Sequence, residues 1–81
     1  MMKITIRLYG GLKALNEFPK DEKGNIVFES QELLTVTQLI DALNLNEKFF
    51  IVVLNGVILN DLAIPLKDGD EISLFPPVGG G

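Results

Sequence analysis

Thr35-Val36-Thr37-Gln38-Leu39-Ile40-Asp41-Ala42-Leu43-Asn44 is the stretch from which the fold is read. Thr35 and Gln38 make a capping box. The threonine hydroxyl accepts from the N3 amide, and the glutamine side chain reaches back to the cap's own N–H. Val36, Leu39, Ile40 and Leu43 then recur at i, i+3, i+4 and i+7, one apolar stripe at helical period. Asn44 ends the helix. Thr37, Gln38 and Asp41 form its solvated side. The helix is therefore a core element whose stripe has to be covered by an apolar surface.

Outward from this helix, the remaining regular segments read as strands. Residues 3–8 alternate strictly, with Ile4, Ile6 and Leu8 on one face and Lys3, Thr5 and Arg7 on the other. Tyr9-Gly10-Gly11 breaks the pattern. Leu12 and Leu15, with Ala14 between them, predict a short helical turn. Pro19 to Asn25 is a polar turn, and residues 26–30 resume a strand antiparallel to the first. Beyond the helix, Phe49-Phe50-Ile51-Val52-Val53-Leu54 is a continuous apolar run that predicts a central, largely buried strand. Asn55-Gly56 is a strong hairpin signal, because a type I′ turn needs positive φ at both residues. Val57-Ile58-Leu59 returns as a short strand. Pro65 interrupts, Lys67-Asp68-Gly69-Asp70 turns, and Glu71 to Phe75 is the last strand. One helix and four or five strands make two layers, a single sheet with the helix across one face. Parallel pairing of the first and last strands at the centre would make this a β-grasp roll.

Composition narrows the function. The 81 residues make one domain. A chain of this size buries only about 60–65% of its unfolded surface, so the core is modest. Seven basic and eleven acidic residues give a net charge of −4. That balance argues against nucleic acid and anionic membranes as partners. No stretch is long and apolar enough to span a bilayer. Met1-Met2-Lys3 leads directly into the alternating pattern without a signal-peptide apolar run, which predicts a cytoplasmic protein. There is no cysteine and no histidine, so disulfides, thiol chemistry and the commonest general base and metal ligands are missing. Ser30 and Ser73 have no imidazole to activate them. A self-sufficient enzyme is not expected, nor a metal site.

The ending, Phe75-Pro76-Pro77-Val78-Gly79-Gly80-Gly81, is the functional signal. Terminal glycines neither pack nor cap, and glycine loses the most conformational freedom on ordering. The expectation is a mobile strip with a bare carboxylate at its tip, slim enough for a channel that excludes a Cβ. From Val78 to Gly81 an extended chain reaches roughly 13 Å, at ~3.3–3.6 Å per residue. Either Gly81 is a reacting group delivered into another protein, or the glycines are a frayed end. Phe75 faces away from the helix side by alternation and stands at the root of the tail. It is a docking anchor or simply an exposed apolar residue. Pro76-Pro77 lacks N–H donors and fixes φ twice, which ends the strand and holds the tail off the sheet edge. Asp68-Gly69-Asp70-Glu71 reads as turn chemistry or as an acidic patch facing a partner. As a Ca²⁺ loop it lacks the further ligands. Neither Gly79-Gly80-Gly81 nor Gly10-Gly11 stands where a phosphate-binding loop would.

Leu66 to Ile72, followed by Leu74-Phe75-Pro76-Pro77-Val78-Gly79-Gly80-Gly81, resembles the end of the small subunits of molybdopterin synthase, a family of ubiquitin-like β-grasp sulfur carriers. In that family a D-G-D-E turn and a short strand lead into F-P-P-V, one variable residue and Gly-Gly. Gly79 fills the variable place. Arg7 departs from what docking would favour, an outward hydrophobic residue. The resemblance implies an α+β fold, with residues 1–75 as the β-grasp domain and 76–81 as a flexible tail.

The resemblance also implies a chemistry. Gly81 would be converted to an acyl-adenylate and then a thiocarboxylate, with Val78, Gly79 and Gly80 threading and Phe75, Pro76 and Pro77 docking. The chain itself would bind no cofactor. ATP with Mg would be used by a ubiquitin-activating-type adenylyltransferase, and a sulfur donor system and the synthase large subunit would be the other partners. A related carrier for thiamine, tRNA or cysteine sulfur, or a lysine-conjugated modifier, shares this ending. A third reading is a non-covalent adaptor domain with an unused tail.

Overall fold

In the computed structural model, which describes residues 1–77, the chain forms β1 (Met2–Leu8), β2 (Ile26–Ser30), α1 (Val36–Leu43), β3 (Ile51–Leu54), β4 (Val57–Ile58) and β5 (Glu71–Phe75). The five strands make one mixed sheet in the order β2-β1-β5-β3-β4. β1 and β5 lie parallel at its centre, and the other pairings are antiparallel. This is the α+β, β-grasp architecture expected from the sequence.

The helix begins and ends as its residues dictate. Thr35 Oγ1 accepts from the Gln38 N–H, and Gln38 Oε1 accepts from the Thr35 N–H. The first turn of a helix leaves N–H groups without intrahelical partners. Here the segment before β5 takes two of them: Val36 N–H donates to the Ile64 carbonyl and Thr37 N–H to the Leu62 carbonyl. Asn44 closes the helix in the left-handed region, φ 53°. Val36, Leu39 and Leu43 are fully buried, and Ile40 packs against the core more shallowly. They meet Met2, Ile4 and Ile6 of β1, Ile26 of β2, Val52 of β3, and Ile72 and Leu74 of β5 in one cluster.

Two expectations are corrected. The spacing of Leu12, Ala14 and Leu15 does not produce a helical turn. Ala14 instead forms an antiparallel bridge with Leu45. Asn46 holds the segment extended: its Oδ1 accepts from Lys13 N–H and its Nδ2 donates to the Gly11 carbonyl. Leu12 enters the core while Leu15 stays exposed, so the two leucines do not share a face. The run from Phe49 to Leu54 is not a central buried strand either. β3 spans only Ile51–Leu54 and is second from the edge. Because α1 covers one face only, alternate residues of β3 point to the open face. Only Val52 of that run is buried, and Phe49 is 76% exposed.

The turns follow their residue types. Asn55 and Gly56 both have positive φ, 49° and 86°, and join β3 to β4 as a two-residue hairpin. Asp21 organises the 19–25 turn by accepting from the Lys23 and Asn25 N–H groups. Chiefly through the Asn25 N–H, these bonds hold the Asp21 carboxyl below its ordinary pKa. A carboxylate with a lowered folded-state pKa stabilises above its unfolded value, and that contribution is lost as pH falls through the folded one. We therefore expect amide exchange at Lys23 and Asn25 to accelerate in that acidic window, and in Asp21→Asn at neutral pH. Equal exchange in Asp21→Asn and wild type at neutral pH would refute the role.

Candidate functional site

The centre of the sheet delivers the C-terminal segment. β1 and β5 run in the same direction, with Leu8 opposite Leu74, so both strands end at the same edge of the molecule. Phe75 is the last residue of β5, and Pro76 and Pro77 follow without regular structure. Ile72 and Leu74 are buried against the helix, while Glu71, Ser73 and Phe75 point to the open face, the orientation that alternation predicts. Val78, Gly79, Gly80 and Gly81 lie outside the described residues.

Phe75 is half-buried, although no part of the helix touches its side of the sheet. Its ring stacks on Tyr9, with centroids 4.5 Å apart and planes 4° from parallel. An offset or parallel aromatic pair adds about 0.5–1.5 kcal/mol beyond area burial, so Phe75 is partly ordered by its own domain. The strand registers extend this pair into a patch. Ile51 stands opposite Phe75, Val53 opposite Ser73, and Ile58 opposite Val53. Directly opposed residues share a face, so Tyr9, Phe75, Ile51, Val53 and Ile58 form one apolar strip beside the exit of the tail. Ile58 is 65% and Tyr9 43% exposed.

Apart from Val27, opposite Thr5, the rest of the open face is polar. Arg7 donates through Nη1 to Glu71 Oε1. That bond, and then the charge of Glu71, raise the proton affinity of the guanidinium further. Arg7 thus takes no part in the apolar strip, and a solvent-exposed pair of this kind adds little stability. The acidic turn is committed locally. Asp68 Oδ1 accepts from Lys3 N–H, and Asp70 accepts from Lys67 N–H and from Asn55 Nδ2. These bonds support the turn reading. Among the described residues there is no group of three or more His, Cys, Asp or Glu placed to hold a metal, and no helix long and apolar enough to cross a membrane.

The sequence reading singled out Phe75, Pro76 and Pro77 and missed Tyr9, Ile51 and Ile58. Parallel pairing was the available signal: whatever follows β1 must lie beside whatever follows β5. We expect Phe75→Ala to weaken binding to a partner that covers this edge by roughly tenfold to a hundredfold, about 1–3 kcal/mol. The domain should lose about 0.5–1.5 kcal/mol with the Tyr9 stack. Denaturant melts and binding titrations on the same variant check both. A large stability loss with unchanged affinity per folded molecule would refute docking.

Comparison with known proteins agrees with this geometry. No curated protein matches the chain. Among solved structures, a chain in the protein-protein complex of subunits 1 and 2 of molybdopterin-converting factor from Helicobacter pylori 26695 is similar, with a TM-score of 0.63 and 28% identity. The likeness covers 99% of this chain and 100% of that one. The profile of the ThiS family matches residues 13–81. That match takes in the helix, four of the five strands and the glycine ending, and the chain belongs to the ThiS family of sulfur carriers.

Proposed function

We propose that this chain is the sulfur-donating small subunit of a molybdopterin synthase, with Gly81 as the residue that carries sulfur. The observation that carries the reading is the likeness, over essentially the full length of both chains, to a chain of the Helicobacter pylori molybdopterin-converting factor complex. The apolar strip beside Pro76 supports it, because a partner that takes in the tail must cover that edge.

A carboxylate is a poor electrophile, since attack would have to expel oxide from an anion. An adenylyltransferase of the ubiquitin-activating type, using ATP with Mg, removes that obstacle. A Gly81 carboxylate oxygen attacks the α-phosphorus, pyrophosphate leaves, and an acyl-adenylate forms. Sulfur at the sulfide level, supplied by a donor system, adds to the carbonyl carbon and AMP leaves. The sulfur of the resulting thiocarboxylate bonds to a carbon of a pterin precursor in the large subunit, and water then cleaves the acyl–sulfur bond, leaving the sulfur on the pterin and returning Gly81 to a carboxylate. Phe75, Pro76 and Pro77 dock, and Val78, Gly79 and Gly80 thread. Threading exchanges chain entropy for orientation of the reacting atom.

Incubation with ATP-Mg, a sulfide source and the activating enzyme should raise the intact mass by the difference between one sulfur and one oxygen, and the gain should map to the C-terminal peptide. No gain on that peptide would overturn the reading. The charged chain is then mixed with the large subunit and pterin precursor. Loss of the gained mass with sulfur appearing in the pterin supports the molybdopterin role. Retention of the thiocarboxylate there assigns the chain to a related sulfur pathway.

A further inference from the structure

The ends of β1 and β5 interlock where the chain leaves the sheet. Tyr9 N–H donates to the Leu74 carbonyl at 3.0 Å, which extends the parallel ladder by one residue and sets the Tyr9 ring on Phe75. Gly10 comes next, with φ +64°. A Cβ at Gly10 would collide with Pro76 Cγ and lie 2.7 Å from Pro76 Cδ, so the local structure would have to shift. Gly11 also has positive φ, +87°, yet a Cβ there would meet nothing within 4 Å. The turn alone therefore does not demand close approach. Contact with Pro76 is peculiar to Gly10.

We propose that Tyr9 and Gly10 are positioning residues for the C-terminal carboxylate. Tyr9 grips Phe75, Gly10 lets the backbone close onto Pro76, and together they set the direction in which the chain leaves its body. This rests on the sulfur-carrier reading above. Pro76 and Pro77 have φ fixed by their rings, so a direction imposed at Pro76 is kept through Pro77. Gly81 lies five residues beyond Pro76, so the exit direction at Pro76 sets where a partner has to meet the tail. Transfer to a bound reactant requires near-attack geometry, so small misplacements cost rate more than affinity.

The experiment compares Gly10→Ala with Gly11→Ala. Both place an alanine at positive φ, and only the first meets Pro76. Thiocarboxylate formation is followed by intact mass with the activating enzyme and ATP-Mg, alongside denaturant melts. Gly10→Ala should lower kcat by about tenfold to a hundredfold with a smaller change in KM, while Gly11→Ala stays near wild type. Pro76→Ala removes Cγ and Cδ, the two atoms in the way. In that background Gly10→Ala should cost no further rate, which also keeps the test valid if the single variant is unstable. Independently of sulfur, nuclear Overhauser contacts between the Gly10 α-protons and the Pro76 ring should be present in wild type and Gly11→Ala.

Charging of Gly10→Ala at the Gly11→Ala rate would overturn the positioning role. So would a rate loss from Gly10→Ala that is the same whether Pro76 is intact or replaced in Pro76→Ala. A wild-type chain that keeps these contacts but takes up no sulfur would overturn the sulfur-carrier reading itself and reduce the interlock to a structural feature.

Discussion

Deleting Gly81, or adding one residue after it, is expected to abolish sulfur uptake while leaving the unfolding curve of the domain unchanged. The reacting carbon in the proposed chemistry belongs to the last residue. Either change moves the carboxylate by one residue, ~3.3–3.6 Å along an extended chain. Near-attack geometry holds reacting atoms about 3–3.5 Å apart, and a misplacement of about 1 Å already costs on the order of a hundredfold. Stability should not follow, because the buried core is made from Met2, Ile4, Ile6, Leu12, Ile26, Val36, Leu39, Leu43, Val52, Leu66, Ile72 and Leu74, none of which the change touches. Intact mass after incubation with the activating enzyme measures the first effect, and a denaturant melt the second. An undiminished sulfur yield from either variant would remove Gly81 from the mechanism.

Leu39→Ala is expected to have the opposite profile. Leu39 is fully buried at the middle of the α1 stripe, in one cluster with β-sheet residues. Truncation leaves a cavity that a two-layer domain closes only in part, at a cost of about 2–5 kcal/mol. Small domains have roughly 5–15 kcal/mol in total, so the variant should melt at much lower denaturant concentration. Sulfur uptake per folded molecule should be unchanged, because α1 packs on the face of the sheet opposite Tyr9, Phe75 and Ile58. A Leu39→Ala chain of full stability that no longer binds its activating enzyme would overturn the structural assignment of the helix.

The two expected profiles would divide the molecule into a stability face and, in the proposed chemistry, a transfer edge. Helix and core hold the sheet, and the sheet holds the central strand from which the tail departs. Phe75 stands between the two roles: its backbone belongs to the ladder and its ring to the open face. That is why Phe75→Ala should show a small stability loss and a larger affinity loss in one variant.

Short-range signals in the sequence were sufficient for most elements, because their physics is local. The Thr35–Gln38 box, the Val36-Leu39-Ile40-Leu43 stripe and the Asn55-Gly56 hairpin each depend on residues within two turns or one turn of chain, and each appears in the structure. The glycine ending points to Gly81 from the sequence alone, and Gly81 lies outside the described residues. Strand alternation put Phe75 on the face away from the helix, correctly. What the sequence left open was tertiary. The apolar run at 49–54 has the composition of a central strand, but its place in the sheet depends on β5 inserting between β1 and β3. Leu12 and Leu15 have helical spacing, yet Asn46, more than thirty positions away, supplies the hydrogen bonds that keep the segment extended. The Tyr9–Phe75 stack and the Gly10–Pro76 contact join residues 66 positions apart. They exist because the first and last strands lie parallel, a pairing decided by burial of the whole apolar surface rather than by any local pattern.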